Sequence, residues 1–414
     1  MGKSGPFLRS LLARRARASK EDPARLPERM GTASLPRPAG KLVWLHAASV
    51  GEAQSALILL DALLERDPSL HVLVTTGTVN SATHMARRLP ARAMHQFVPM
   101  DHPQWVAAFL DHWRPDRVLW MESELWPNML AAIKSHNIPA VLINARLSAR
   151  SVKRWRLVRK TIADLLSTFT IILAQTEDDA ANFRALGAAR VVVTDNIKYA
   201  AAPLPLDDAA LPALFAAIGA RPIWVYASTH DGEEDLACRL HTRLSKTLPD
   251  LLTIIVPRHP ERRAAIVETC ARHNLPAALR STGALPTNQD AVYIADTMGE
   301  LGLFYRIAPL ACIGRSFSND GGGGHNPIEA AQLGCAVIHG PHIQNLAALF
   351  DEMNAAGAAL RLRDEADFEA QLTRLLTNSF ACDELRDRGA AFVMAKAQIL
   401  DRVMSSLAPV MAAA

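Results

Sequence analysis

Several signals that would settle a function quickly are missing from this chain. Its five cysteines, Cys238, Cys270, Cys312, Cys335 and Cys382, are scattered, odd in number and never at CxxC spacing. That argues against a disulfide scaffold or a zinc ribbon, and buried thiols in a reducing compartment are expected. The histidines show neither HExxH nor any other zinc spacing, so no metal is expected. No apolar run approaches the roughly 20 residues of a spanning helix. The first residues lack a long apolar core with a small-residue cleavage site, and so do not read as a secretory signal. Net charge is only +4, too little to imply a nucleic-acid partner. No short repeat or low-complexity array is visible.

What is present is basic clustering and a steady alternation of strand and helix signals. Lys3, Arg9, Arg14, Arg15, Arg17, Lys20, Arg25 and Arg29 outnumber Glu21, Asp22 and Glu28 at the start. Arg146, Arg150, Lys153, Arg154, Arg156, Arg159 and Lys160 form a second cluster. Such clusters suit anionic lipid head groups or a phosphorylated ligand, and equally suit solvated helix faces. Phe7, Leu8, Leu11 and Leu12 among arginines fit either a short amphipathic helix lying on a membrane or a disordered basic tail.

A chain of 414 residues is long enough for two domains. Residues 1–40 read as a basic segment and a proline-rich linker. From Lys41 the pattern is regular: strands at 42–45, 71–76, 117–121 and 140–143, with helices near 52–65, 80–89, 103–113 and 125–136. It pauses around Ala200–Leu206, a plausible linker, and restarts with strands at 223–227, 251–256, 291–295, 310–313 and 336–338. Helices near 232–247 and 260–273 separate the first of these. Alternation of this kind means βαβ units and parallel sheets. The expected architecture is α/β: two doubly wound, Rossmann-like domains at 41–202 and 203–414, facing across a cleft.

Ligands of such sheets bind at the carboxyl ends of strands, and the chemistry-bearing residues cluster there. Gly321–Gly324 with His325-Asn326-Pro327-Ile328-Glu329 reads as a glycine loop feeding a helix, with Pro327 at the first helical position. Free N–H groups there suit a phosphate, and Glu329 suits sugar hydroxyls. The same pattern also serves as a plain turn before a core helix. His46-Ala47-Ala48-Ser49-Val50-Gly51-Glu52 places a carboxylate at a helix start, where the dipole favours its charge. Glu52 there is a candidate general base or a helix cap. Glu122 and Glu124 follow another strand and are either reactive or capping. Arg146 and Lys198 place cations after strands, able to offset charge on a substrate or leaving group. Arg258 in Pro257–Arg262 can grip a phosphate. Ser228-Thr229-His230 and Asp296–Leu301 occupy similar loops.

Taken together, the motifs HAASVGE, ESELWPN, NARLS, NIK, PRHPER, DTMGEL and GGHNPIEAA, with Gly340-Pro341 and Asn345, are similar to those of the 3-deoxy-D-manno-oct-2-ulosonic acid (Kdo) transferases, in the same order over about residues 41–350. The resemblance implies a GT-B fold with an acceptor domain followed by a donor domain. It implies inverting transfer of Kdo from CMP-Kdo to the glucosamine disaccharide of a lipid A precursor (lipid IVA), at the cytoplasmic face of a bacterial inner membrane. Glu52 would be the general base, and Glu122 and Lys198 would stabilise the transition state. Pro257, Arg258, Met298, Gly299, Glu300, Asn326, Pro327, Ile328 and Glu329 would bind CMP. CMP leaves as a monophosphate, so no metal is required to bridge a pyrophosphate. The chain departs from the family pattern at Asp195 and Arg315, where glycines are usual, and in lacking a hydrophobic anchor helix. A UDP-sugar transferase and a membrane-surface nucleotide-binding protein are the competing readings.

Overall fold

The strand and helix signals resolve into two sheets of seven strands each. The structure is a computed structural model that describes residues 5–200, 203–206, 208–318 and 320–412. Lys3, the linker residues Ala201 and Ala202, and Asn319 beside the glycine loop lie outside the described residues. Two units are distinguished: Met1–Ala201 with Ala397–Ala414, and Ala202–Lys396.

In the first unit the strands are β1 (Leu42–His46), β2 (His71–Thr76), β3 (Ala93–Phe97), β4 (Arg117–Met121), β5 (Ala140–Ala145), β6 (Phe169–Ala174) and β7 (Val191–Val193). They run parallel in the order β3-β2-β1-β4-β5-β6-β7. Every residue of β1 and β5 is buried, as a sheet covered on both faces requires. Trp44, Phe109, Trp113 and Trp120 fill the space between sheet and helix Pro103–Trp113. Burial of each stabilises the fold by roughly 1.5–3 kcal/mol relative to exposure. β3 is absent from the sequence reading because His95 and Gln96 interrupt its apolar pattern. Gln96 is nevertheless buried and accepts from the Trp113 indole at 2.8 Å.

Residues 18–32, read as part of a tail and linker, are packed against this unit instead. The Phe97 N–H on the outer edge of β3 donates to Glu28 at 2.7 Å, which satisfies a group that an edge strand would leave bare. Arg29 donates to the Val98 carbonyl, and Glu21 lies between Arg15 (2.7 Å) and Arg29 (3.3 Å). Gly31 adopts φ +85°, and a Cβ there would strike the Trp105 carbonyl. Gly5–Arg17 is helical, with Leu12 buried and Phe7 exposed.

The second unit contains β8 (Ile223–Thr229), β9 (Leu252–Pro257), β10 (Ala277–Leu279), β11 (Val292–Ile294), β12 (Leu310–Ile313), β13 (Ala336–His339) and β14 (Leu360–Arg361). Its parallel order is β10-β11-β9-β8-β12-β13-β14. Trp224, Tyr226 and Phe368 pack together in its core. The C-terminal domain expected at 203–414 differs from this unit at its end. Helix Ile399–Ala412 buries Ile399, Val403, Met404, Leu407 and Val410, Arg117 donates to the Val410 carbonyl at 2.7 Å, and the segment belongs to the first unit.

All five thiols are buried and free. Among the described residues, no helix is long and apolar enough to cross a membrane, and no group of three or more His, Cys, Asp or Glu is placed to hold a metal.

Glu21→Ala would leave the Arg29 guanidinium buried without its counter-charge. It is expected to cost about 3–5 kcal/mol in urea unfolding, while Lys20→Ala, at an exposed position, stays within about 0.5 kcal/mol.

Candidate functional site

In the first unit the strand order reverses beside β1, which has β2 on one side and β4 on the other. The loops after β1 and β4 therefore diverge and leave a crevice at the strand ends. Glu52 and Glu122 are carried by these two loops. Ser49 caps helix Val50–Arg66: its hydroxyl accepts from Glu52 N–H (3.3 Å) and donates to Glu52 Oε1 (2.9 Å), while Ala48 N–H donates to Oε2 (2.8 Å). This is a capping box, and it fixes the Glu52 rotamer. Burial pushes the Glu52 carboxyl above its usual range. The Ala48 and Ser49 bonds pull it back, and Glu122 and Glu124 push it further up. The expectation that the helix start favours the charged form is thus outweighed by burial and neighbouring carboxylates. His46 of the same segment is a core residue, its ring tilted against Trp120, and is pushed down to about 3 by burial, then by the charge of Arg29.

Glu122 sits at φ +55°, in the left-handed region, and is nearly buried. Its two oxygens face Lys198 Nζ and Arg146 Nε, each at 3.3 Å. Gly51 lies against the Lys198 ammonium, 3.7 Å from where a Cβ would stand, so the helix start carrying Glu52 adjoins the ion pair. Asn144, also left-handed at φ +56°, accepts the Ile197 N–H on Oδ1 at 3.1 Å and so positions the turn that carries Lys198. Asp195 keeps the left-handed conformation that glycine would take there, at φ +67°, and pairs with Arg402 at 2.9 Å. Glu124 is separate from this group: its carboxylate accepts from the Trp126 indole at 2.7 Å.

In the second unit the order reverses beside β8, between β9 and β12. Gly321–Gly324 follow β12 with four successive positive φ angles, and a Cβ at Gly323 would collide with Asn345. The helix after the loop is shorter than expected, Ile328–Gln332, and Pro327 is its N-cap rather than its first residue. Asn326 Oδ1 already accepts the Ile328 N–H, and its amide donates to Glu329 at 3.1 Å. Burial raises Glu329, while Asn326 and the charge of Arg258 lower it. Arg258, after β9, has no ion-pair partner among the described residues, which leaves its guanidinium available to an anion. Met298 is 72% exposed, beside Gly299 at φ +88°. Glu300 is occupied by Arg280 at 2.6 Å and held below the usual carboxylate range by it.

Sequence reading placed Glu233 in the loop region after Ser228-Thr229-His230 but gave it no role. It is buried and collects the N–H groups of His230, Arg315, Ser316 and Phe317 and the Tyr226 hydroxyl, at 2.7–3.2 Å. Burial pushes this carboxyl up, and the amides of Arg315, Phe317 and His230 pull it back. Glu233 thereby ties the loop after β8 to the loop after β12. Its signal in the sequence is slight, an acidic residue at the start of the helix that follows Gly232.

A family profile described as 3-Deoxy-D-manno-octulosonic-acid transferase (kdotransferase) matches residues 24–201. The 3-deoxy-D-manno-octulosonic acid transferase of Rickettsia felis is 35% identical over 379 residues, 90% of this chain and 81% of the relative. The chain belongs to the Kdo transferase family. The Kdo transferase of Haemophilus influenzae is 33% identical over 93% of this chain and 91% of its own length. UDP-GlcNAc 2-epimerase from Neisseria meningitidis shares the fold at TM-score 0.58 and 14% identity, covering 89% of this chain and all of that one. Family membership makes the chain a glycosyltransferase, and the two seven-stranded parallel sheets with this likeness give it the GT-B fold.

Because ionised Glu52 is buried near Glu122, its charge weakens the fold above its raised pKa. Glu52→Gln can still accept from Ala48 and donate to Ser49. It is expected to raise the thermal midpoint at pH 8, with the gain fading as pH falls through the carboxylate range. Glu233→Gln replaces one acceptor oxygen by an NH2 donor that faces N–H groups of the backbone, and should cost about 2–4 kcal/mol in urea unfolding.

Proposed function

We propose that this Kdo transferase moves Kdo from CMP-Kdo to the glucosamine disaccharide of a lipid A precursor (lipid IVA), releasing CMP, with inversion at the anomeric carbon. The observation that carries the reading is the group Glu52, Glu122, Lys198 and Arg146 at the strand reversal of the first unit. A carboxylate whose proton affinity is raised by burial is a stronger base toward an acceptor hydroxyl. Lys198 and Arg146 supply positive charge where a phosphorylated, anionic acceptor and the developing transition state need it. Glu122, in this reading, orients both cations.

CMP would lie in the second unit, against Pro257 and Arg258, the Met298–Glu300 loop and Asn326–Glu329. Arg258 suits the phosphate, and the Glu329 carboxylate suits ribose hydroxyls. Glu300, already paired with Arg280, would contribute through its backbone. The residue types require no bridging metal for a monophosphate leaving group. The basic helix Ala149–Arg156, followed by exposed Leu157 and Val158, suits an anionic lipid surface. That fits work at the cytoplasmic face of an inner membrane.

Purified protein incubated with fresh CMP-Kdo and tetraacylated lipid A precursor should give a mass gain of one or more Kdo units. Glu52→Ala should lower the rate by about 10²–10⁴-fold. Intact donor and acceptor with no product would refute the assignment and favour a UDP-sugar donor.

A further inference from the structure

In the second unit the two loops flanking the strand reversal bring a pair of imidazoles together. His230, after β8, and His325, after β12, face each other through Nε2 at 3.1 Å, with their rings stacked at 27°. The other nitrogen of His230, Nδ1, lies 3.1 Å from Asp320 Oδ2. Asp320 accepts from the Ser318 hydroxyl and the Gly322 N–H and faces Arg315, and these hold it at about 2. It is therefore an ionised acceptor, and His230 Nδ1 must carry a proton.

That one assignment fixes the rest of the chain. With its Nδ1 protonated, neutral His230 presents a lone pair at Nε2. His325 Nε2 must then carry the hydrogen that bridges the two rings. Neutral His325 consequently has no proton on Nδ1, and its one side-chain hydrogen bond among the described residues is the one at Nε2. One further proton on the pair places an N–H on His325 Nδ1. The charged and titratable groups around the pair are Arg258, Arg315, His259 and Asp320. Burial first, then the positive charges of His230, Arg258 and Arg315, push His325 down to about 4. The site thus holds an excess of positive charge that an incoming anion would neutralise. His325 directly precedes the Asn326–Glu329 segment.

We propose that Asp320, His230 and His325 form a proton relay in which the pair takes up a proton when the nucleotide phosphate binds, and His325 then protonates that phosphate as it leaves. The proposal rests on the CMP-Kdo reading of the second unit. In the transfer step the acceptor oxygen bonds to the anomeric carbon and its proton passes to Glu52. The bond between the anomeric carbon and the phosphate oxygen breaks, its electron pair stays on that oxygen, and His325 gives this oxygen a proton. Glu52 then loses a proton to water and the histidine pair regains one. His325 is the catalytic residue of the relay, while His230 and Asp320 are positioning residues.

Calorimetric titration of the full chain with CMP at pH 8, in buffers of different ionisation enthalpy, tests the relay. Free CMP is a dianion there, since the second phosphate pKa is about 6. Wild type should take up a substantial fraction of one proton per CMP bound, and His325→Gln should bind CMP with little or no uptake. With CMP-Kdo, His325→Gln should lower kcat by about 100-fold or more while KM changes little. Asp320→Asn, at an exposed position that does not threaten folding, should reduce the uptake and shift the pH profile of kcat. Uptake that is absent in wild type, or unchanged in His325→Gln, overturns the relay and leaves the CMP reading intact. Failure of CMP to bind, with a uridine nucleotide binding instead, overturns the CMP reading and the relay with it.

Discussion

Both units depend on one constraint, the reversal of strand order beside the first strand of each sheet. Neighbouring connections diverge at that point, and backbone alone does not close the gap between them. In the first unit the gap is bordered by Glu52 and Glu122, in the second by His230, Glu233 and the turn at Arg315. The chain needs unusual backbone to keep these side chains there. Glu122, Asn144 and Asp195 are left-handed at the ends of the first sheet, and Ser228 and Arg315 at the ends of the second. Non-glycine residues in such conformations cost of order 1–3 kcal/mol each and persist only where surrounding bonds hold them. Those bonds are present: Glu122 N–H donates to the Ile143 carbonyl, Asn144 receives the Ile197 N–H, and Arg315 N–H donates to Glu233.

The two units use buried carboxylates in opposite ways. Glu233 is surrounded by donors of its own chain and has no capacity left for a ligand, so its work is to join loops. Among the described residues Glu52 has only the Ala48 N–H and the Ser49 hydroxyl, and it lies in the field of two further carboxylates. The first arrangement favours the fold. The second withholds stability from the fold and leaves a carboxylate inclined to accept a proton.

Much of this was legible in the sequence for identifiable reasons. Buried parallel strands are continuous apolar runs, so Leu42–Leu45 and Leu310–Ile313 stood out, and the helix expected near 103–113 spans Pro103–Trp113. β3 did not stand out, because its half-buried His95 and buried Gln96 are held by partners on Thr76 and Trp113 that no local pattern announces. The two-residue β14 is too short for any periodicity. The clustering of Glu52, Glu122 and Lys198 was legible only through whole motifs taken in order. Their spacing along the chain says nothing of the 3.3 Å between Lys198 and Glu122. The departures at Asp195 and Arg315 read as disturbances in sequence. In the structure each keeps the positive φ a glycine would have supplied, with Asp195 anchored by Arg402 and Arg315 by Glu233.

The return of helix Ile399–Ala412 to the first unit makes that unit discontinuous. On a ribosome, β1 to β7 are made before the second unit, yet the helix that receives Asp195 through Arg402 is made after it. At ordinary synthesis rates the interval is about ten to forty seconds, far longer than a small domain needs to collapse. During it the apolar surface that Val403, Leu407 and Val410 later cover stays bare. The nascent first unit therefore keeps that surface exposed until helix Ile399–Ala412 has emerged, and premature termination anywhere in the second unit leaves it incomplete.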